Sequence, residues 1–357
     1  MAGVRANQLG KPQDFRFVIE DASAESPAPV GRSLTIIRPR RRWFQMDWGE
    51  LWRYRELFGF LVWRDIKVKY KQTLLGAAWA ILVPFCHMAI FSIIFGAMAG
   101  LSSEGLPKPI FYYAALLPWT YFATALSQAG NSLVGNASLL TKVYFPRIIV
   151  PTGPCVAALV DFAIAFSVLV VMMLYYRITP PAAVLLLPAL LLVAFCAALG
   201  VGLFLAALNV KYRDVRFVIP FIVQIWMYCT VIVPFSEFRQ RFGDRLGALC
   251  YLYGLNPMAG VVEGFRWCLL HDRMTTTSAV ERVLEGRVVP EALEEGQEVI
   301  LKVLDSGATQ VVLREIERAP VDPPWTLIAI GVPVALALLA IGVVKFKRME
   351  DLFADVV

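Results

Sequence analysis

The chain has 357 residues, of which 58% are hydrophobic and only 17% charged, with a net charge of +6 and a mean hydropathy of +0.62. A soluble domain carries about 25% charged residues, so this composition excludes an ordinary water-soluble globule. The apolar residues come in runs long enough for a helix to cross about 30 Å of hydrocarbon, and the chain reads as a polytopic membrane protein.

Residues 1–48 read as a disordered, basic cytoplasmic segment. Met1 to Arg42 is polar, "ESPAPVG" has linker composition, and an apolar signal region is missing there. The first span is therefore expected to serve as its own insertion signal. Residues 49–73 predict an amphipathic helix lying along the membrane interface. Arg53, Glu56, Arg64, Lys67 and Lys71 collect on one stripe, with Trp52, Trp63 and Tyr70 on an adjacent face, while Gly59, Arg55 and Lys69 blur the segregation. Basic residues beside amphipathic rings suit headgroup depth on an anionic leaflet. A basic flank that only fixes topology explains the same residues.

Residues 74–233 hold five apolar runs: Leu75 to Ala99, Ile110 to Ser132, Ile148 to Tyr176, Val184 to Leu208 and Phe217 to Val233. The third is long enough to tilt or break, and the fifth is short. Residues 234–270 contain two apolar stretches too short to span, separated by Asn256-Pro257. Residues 271–322 form a polar insertion, with eleven acids and six bases from Asp272 to Asp322. There "SAVERVLEG" predicts a helix, and "QEVILKVLDSGATQVVLREIE" predicts a hairpin turning at Asp305-Ser306-Gly307. A lone hairpin is marginal in water, so it is expected to rest on the neighbouring external segment or on another subunit. Residues 323–345 contain the sixth run, Trp325 to Val344, and residues 346–357 form a tail.

Lysine and arginine bias orients such a chain through its short loops. Fourteen precede the first span, and the following loops carry one, two, one and three. The basic segments are the first, third, fifth and last, which places both termini in the cytoplasm and the long 234–322 segment outside. The cysteines stand singly, with Cys86, Cys155, Cys196 and Cys229 inside spans, and read as small packing residues. No GxxxxGK[ST] is present, so the chain lacks a phosphate-binding loop for ATP hydrolysis. His87 and His271 do not have metal-pair spacing, and no GxSxG or close acidic pair suggests hydrolase chemistry. Asp161 is the one ionisable group deep within a span. It is a functional candidate by default, or a residue that hydrogen-bonds between helices, protonated or water-linked.

Five stretches together resemble one family. They are "WRDIKVKYKQTLLGAAWAILVPF", "LLPWTYFATAL", "NASLLTKVYFPRIIVP", "VKYRDVRFVIPFIVQIW" and "LNPMAGVVEGFRW", in this order between residues 50 and 270. The chain resembles the permease subunits of bacterial type-2 ABC exporters of polysaccharide, O-antigen and teichoic-acid chains. The third stretch, with Lys142, Phe145, Pro146, Arg147 and Pro151, is the most diagnostic.

The resemblance implies an all-α polytopic membrane protein of the inner membrane. It would have six transmembrane helices, an N-terminal amphipathic interface helix, two short external re-entrant gate helices and a small external α/β insertion. It implies that Asn136, Lys142, Phe145, Arg147, Arg213 and Asp214 lie on loops that couple to a separate ATPase. Pro146 and Pro151 are expected to bound a short helix there, and Asn209 to Arg216 to form a second lever. Arg64, Lys67 and Lys71 would meet the lipid headgroup at the entrance. Tyr228, Tyr251, Tyr253, Asn256, Phe265 and Trp267 would line the glycan gate, although an interfacial aromatic belt explains the rings equally well.

Implied partners are a second copy, a dimer of ABC ATPase subunits, a lipid-linked polysaccharide and membrane lipids, with no nucleic acid. No cofactor is expected on this chain; ATP and Mg would be used by the ATPase. Two readings stay open beside this one: an exporter of a drug or lipid, and a membrane transferase acting on lipid-linked sugars. The insertion at 271–322 is longer and more polar than the family's usual connection, which leaves the exit geometry open.

Overall fold

A computed structural model describes residues 48–71, 78–98, 103–231, 247–283, 297–303 and 309–350, with single positions at 101, 234–236, 238, 239 and 242. The N-terminal segment, Gln72 to Gly76, the turn at Asp305-Ser306-Gly307 and the last seven residues lie outside this set.

The helices in chain order are α1 (Trp48–Arg53), α2 (Arg55–Lys71), α3 (Ala78–Phe91), α4 (Lys108–Gly135), α5 (Ala137–Lys142), α6 (Ile149–Tyr175), α7 (Leu187–Lys211), α8 (Val215–Val231), α9 (Pro257–Leu270) and α10 (Trp325–Met349). A π-helical stretch, Ser92–Met98, continues α3, and 3₁₀ turns at Ala182–Leu186 and Gly247–Leu255 precede α7 and α9. Every apolar run in the sequence is helical over its described residues. Among the described residues, four helical stretches are long and apolar enough to cross a membrane: Ala78–Met98, Ile149–Tyr175, Ala182–Lys211 and Trp325–Met349. α8 is apolar but has 17 residues. α4 is long, with 28 residues, but carries Tyr112, Tyr113, Trp119, Thr120, Tyr121, Gln128 and Asn131 among its apolar ones.

α4 is the axis of the bundle, and contacts along it give the direction of its neighbours. Phe91 packs edge-on to Tyr112 at 6.2 Å, so α3 ends where α4 begins. Tyr113 donates to the Ala165 carbonyl at 3.0 Å and Tyr121 to that of Cys155 at 3.3 Å, which sets α6 antiparallel to α4. Leu190 of α7 meets Gly264 of α9, whose Arg266 lies over Phe111, and Asn209 reaches the Gly130 carbonyl at 3.0 Å. α7 is therefore parallel to α4. Ile219 lies against Gly130 while the Val231 carbonyl is held by Arg266, so α8 runs back. Gly200 meets Leu339, and Leu190 shares a small apolar hollow with Ile328, which makes α10 parallel to α7. The direction thus alternates through α3, α4, α6, α7, α8 and α10.

Small residues bring these helices close, as expected where hydrocarbon supplies no hydrophobic drive for association. A Cβ on Gly342 would fall 2.1 Å from the Gly200 carbonyl oxygen, and one on Gly200 would fall 2.5 Å from the Leu339 nitrogen. At that crossing the two backbones touch.

Beyond the end where α4 starts lies a three-stranded antiparallel sheet of β1 (Thr275–Val283), β2 (Gln297–Val303) and β3 (Thr309–Pro320), in the order β1-β3-β2. The expected hairpin is present as β2 and β3, paired from Val303↔Thr309 to Gln297↔Glu315. The helix expected over "SAVERVLEG" is corrected: β1 covers its first six residues and pairs with β3 from Thr275↔Pro320 to Val283↔Val312. β3, at 12 residues, is long enough to serve both partners, and the third strand gives the hairpin the support it needs. Two bonds fasten the sheet's base. Thr275 N–H donates to the Glu104 carbonyl at 2.8 Å, and Trp267 Nε1 donates to the Val321 carbonyl at 3.2 Å. Glu104 and Gly105 turn there with φ of 52° and 80°, and a Cβ on Gly105 would press within 2.7 Å of Thr275 Oγ1.

Candidate functional site

Three clusters hold the residues singled out in the sequence. The first lies at the end where α4 finishes. Asn136 joins α4 to α5: its N–H bonds to the Ser132 carbonyl and its own carbonyl accepts from Leu139 and Leu140. It is a hinge between helices. The expected short helix is α5, but it precedes Pro146 rather than lying between Pro146 and Pro151. Pro151 stands in the first turn of α6, where its missing N–H costs no helical bond. Lys142 is exposed, Phe145 is buried, and Tyr144 between them is 85% exposed. Arg147 turns inward and donates to the Glu350 carbonyl at the end of α10.

Across this face, the second expected lever shrinks to the turn Tyr212–Asp214 between α7 and α8. Asn209 is corrected from lever to packing residue, buried at 2% exposure and bonded to Gly130 and to Asn131 Oδ1. Arg213 and Asp214 are exposed. Lys211 lies over the Tyr212 ring at 5.0 Å and Arg216 over the Phe217 ring at 4.6 Å. The result is an exposed basic and aromatic surface around two tight turns.

The second cluster is on α2. Arg64 is paired with Asp65 of its own helix at 2.7 Å, while Lys67 and Lys71 are exposed. The stripe is therefore not three equivalent cations. Lys69 Nζ and Tyr70 Oη both donate to the Asp161 carboxylate of α6. Burial, and then the hydrogen bond to Asp161, push the Tyr70 hydroxyl well above its ordinary pKa, so it remains a donor. At the other end of α2, Tyr54 Oη donates to the Tyr144 carbonyl at 3.3 Å. Asp161 lies about 18 Å along α6 from Ile149 at 1.5 Å per residue. α2 therefore packs along α6, from Asp65 beside Gly153 to Lys69 and Tyr70 at Asp161.

The third cluster lies at the sheet end. Asn256 caps α9, accepting from Met258 N–H at 3.1 Å and Trp226 Nε1 at 2.8 Å while donating to Thr230 Oγ1 at 2.8 Å. Its polar groups are already engaged. Phe265 is corrected from gate to core: it has no exposed surface and meets Phe162 edge-on at 6.0 Å. One face of Trp267 is covered by His271, stacked at 4.3 Å. Tyr253 stacks on Phe235 and Phe238 at 5.9 and 5.4 Å and donates to the Cys229 carbonyl. Tyr251 is half-buried, and Tyr228 is 49% exposed.

A family model described as "ABC-2 type transporter" matches residues 56–270, from α2 to the end of α9. The chain belongs to the ABC-2 type transporter family. This ABC-2 chain is similar to the O-antigen export system permease protein RfbA of Myxococcus xanthus, at 29% identity over 227 residues, 63% of this chain and 84% of that protein. A Klebsiella pneumoniae RfbA is 25% identical over 205 residues, 57% of this chain and 76% of the relative. The polysialic acid transport protein KpsM of Escherichia coli is 24% identical over 209 residues, 56% and 76% of the two chains. The ABC-2 chain is accordingly a multi-pass transporter permease subunit and not an enzyme. The sheet and α10 lie outside the matched residues.

Two pairings in this ABC-2 permease go beyond the residues singled out from the sequence. Lys69 and Tyr70 stand 92 and 91 residues from Asp161, and only the packing of α2 on α6 unites them. Glu263 and Arg266, three apart in α9, form a buried pair at 3.0 Å. An acid and a base at that spacing in "GVVEGFRWCLL" are a signal the sequence does contain.

Proposed function

We propose that this permease exports a lipid-linked polysaccharide across the cytoplasmic membrane, working as two copies on a dimeric ABC ATPase that binds and hydrolyses ATP with Mg. The observation that carries this reading is that relatives named for O-antigen export and for polysialic acid transport share 76% to 84% of their own length with the chain. α4 and α8 are taken as the second and fifth crossings, completing six passes; the alternating helix directions support this count. The lysine and arginine bias assigns the α5 end and both termini to the cytoplasm.

The ATPase then docks on the face carrying Lys142, Arg213 and Asp214, with Asn136, Phe145 and Arg147 shaping the loop behind it. Lys67 and Lys71 face the cargo headgroup, helped by Arg64. On the far side, the Gly247–Leu255 turn and α9 act as the outer gate, where Tyr228 and Tyr251 offer rings to sugar. The exposed side of α8 nearer its start, with Phe217 and Phe221, faces the second copy or lipid.

Reconstitution with the ATPase in vesicles tests this. A phosphate-bearing lipid-linked glycan should raise ATP hydrolysis several-fold and should cross the bilayer. Stimulation by amphipathic drugs or bare lipids, with no response to the glycan, would replace the reading with a drug or lipid exporter.

A further inference from the structure

Among the described residues, the second half of α2 is bonded to the rest of the molecule in its last turn. Leu61 is the one residue of α2 that is fully buried among those described, with Leu57 and Phe58 partly covered. Arg64 and Asp65 satisfy each other within the helix, so their pair fastens α2 to nothing. The helix is held to α6 instead by Asp161, which accepts from both Lys69 and Tyr70 in the last turn. Two turns closer to the start of α6, Gly153 faces Asp65 of α2. A Cβ there would stand 3.6 Å from Asp65 Oδ2, in ordinary contact.

Asp161 lies in "AALVDFAIAF", an apolar stretch in which a lone carboxylate is costly without partners. The same residue that needs Lys69 and Tyr70 therefore fixes the depth and register at which α2 docks. Lys67 and Lys71 flank Lys69 on that helix and are exposed, so their position relative to the membrane follows from the same bond.

We propose that Asp161 is a positioning residue for cargo entry: through Lys69 and Tyr70 it locks α2 along α6 and so sets where Lys67 and Lys71 meet the phosphate-bearing headgroup. This rests on the reading of α2 as the cargo entrance. Its consequence is that loss of Asp161 acts on cargo recognition through a displaced helix, without removing any group that touches cargo.

The test uses the full permease–ATPase complex in vesicles. An Asp65→Cys/Gly153→Cys pair reports docking by the rate of disulfide formation. With Asp161 intact the link should form readily. Asp161→Asn should slow it at least threefold and raise the apparent KM for lipid-linked glycan in ATPase stimulation several-fold, with the maximal rate retained. Asp161→Glu, which keeps the charge, should stay within twofold of the parent, and the swapped pair Lys69→Asp/Asp161→Lys should recover most of the cross-linking. An unchanged cross-linking rate in Asp161→Asn overturns the proposal. So does slowed cross-linking with an unchanged KM, because Asp161 would then be structural only. A parent complex that cross-links yet never responds to glycan overturns the cargo reading instead.

Discussion

Arg266 has no exposed surface, and its two terminal nitrogens and its plane each meet a neighbour. One terminal nitrogen bonds to Glu263 at 3.0 Å, the other bonds to the Val231 carbonyl at 2.9 Å, and the plane lies 4.2 Å over the Phe111 ring. Glu263 also accepts from the Phe235 N–H at 3.1 Å. The pair thus ties the end of α8, the segment after it and the start of α4 to α9. Removing one partner of a buried ion pair costs about 3–5 kcal/mol because the other charge is left behind. Arg266→Met should therefore unfold far more readily in detergent than the parent. Glu263→Gln/Arg266→Met should recover part of that loss, since no carboxylate is then stranded. Thermal unfolding of the purified variants measures both. At this scale the sequence was only partly readable: Glu263 and Arg266 stand in one helical turn, whereas Asp161 and Lys69 meet through a helix packing that no local spacing encodes.

Among the elements, the positions of the long helices were legible because hydrophobic runs of span length leave little choice. What they pack against was not. Asn209 lies beside basic residues and reads as loop, yet its side chain bonds α7 to α4, so the turn begins three residues later at Tyr212. "SAVERVLEG" has helical spacing, but pairing with β3 decides its state.

The exposed turn and the half-buried bond at the α5 end give opposite expectations. Asp214→Ala touches exposed surface, where substitutions change stability by about 0.5 kcal/mol or less. It should leave thermal unfolding unchanged and cut ATPase stimulation several-fold. Arg147→Ala removes a bond to the last carbonyls of α10, and amide exchange at residues 345–350 should speed up.

The α7–α10 crossing gives a sterner case. Gly342→Ala has no room, with its Cβ 2.1 Å from a backbone oxygen, and should sharply reduce the yield of folded protein. Gly59→Ala, with nothing within 4 Å, should be neutral or stabilising by up to about 1 kcal/mol. Extracted monodisperse protein, compared across the pair, checks this.

For the whole molecule, the two ends carry different work. The α5 end has tight turns, exposed charge and the end of α10 bonded to Arg147. The opposite end has buried charge, an α9 that is almost wholly enclosed, and a sheet fastened at its base. Excision of residues 276–319 tests whether that sheet is needed for folding. With Thr275 joined to Pro320 by a short Gly-Ser bridge, the protein should insert and unfold at nearly the parent temperature, because both base bonds, Thr275–Glu104 and Trp267–Val321, are kept. Loss of export in a stably folded excision variant would assign the sheet to the exit path.

The pairing of Thr275 with Pro320 means that the chain leaves the bundle and returns to it through adjacent positions. Such a segment behaves like a cassette on a single socket. Its sequence and even its length should be free to change without pulling on α9 or α10, and another small fold with neighbouring termini should fit the same place. An epitope or a fluorescent reporter grafted there should be accepted by the transporter beneath it, which makes this the natural point from which to follow the working molecule.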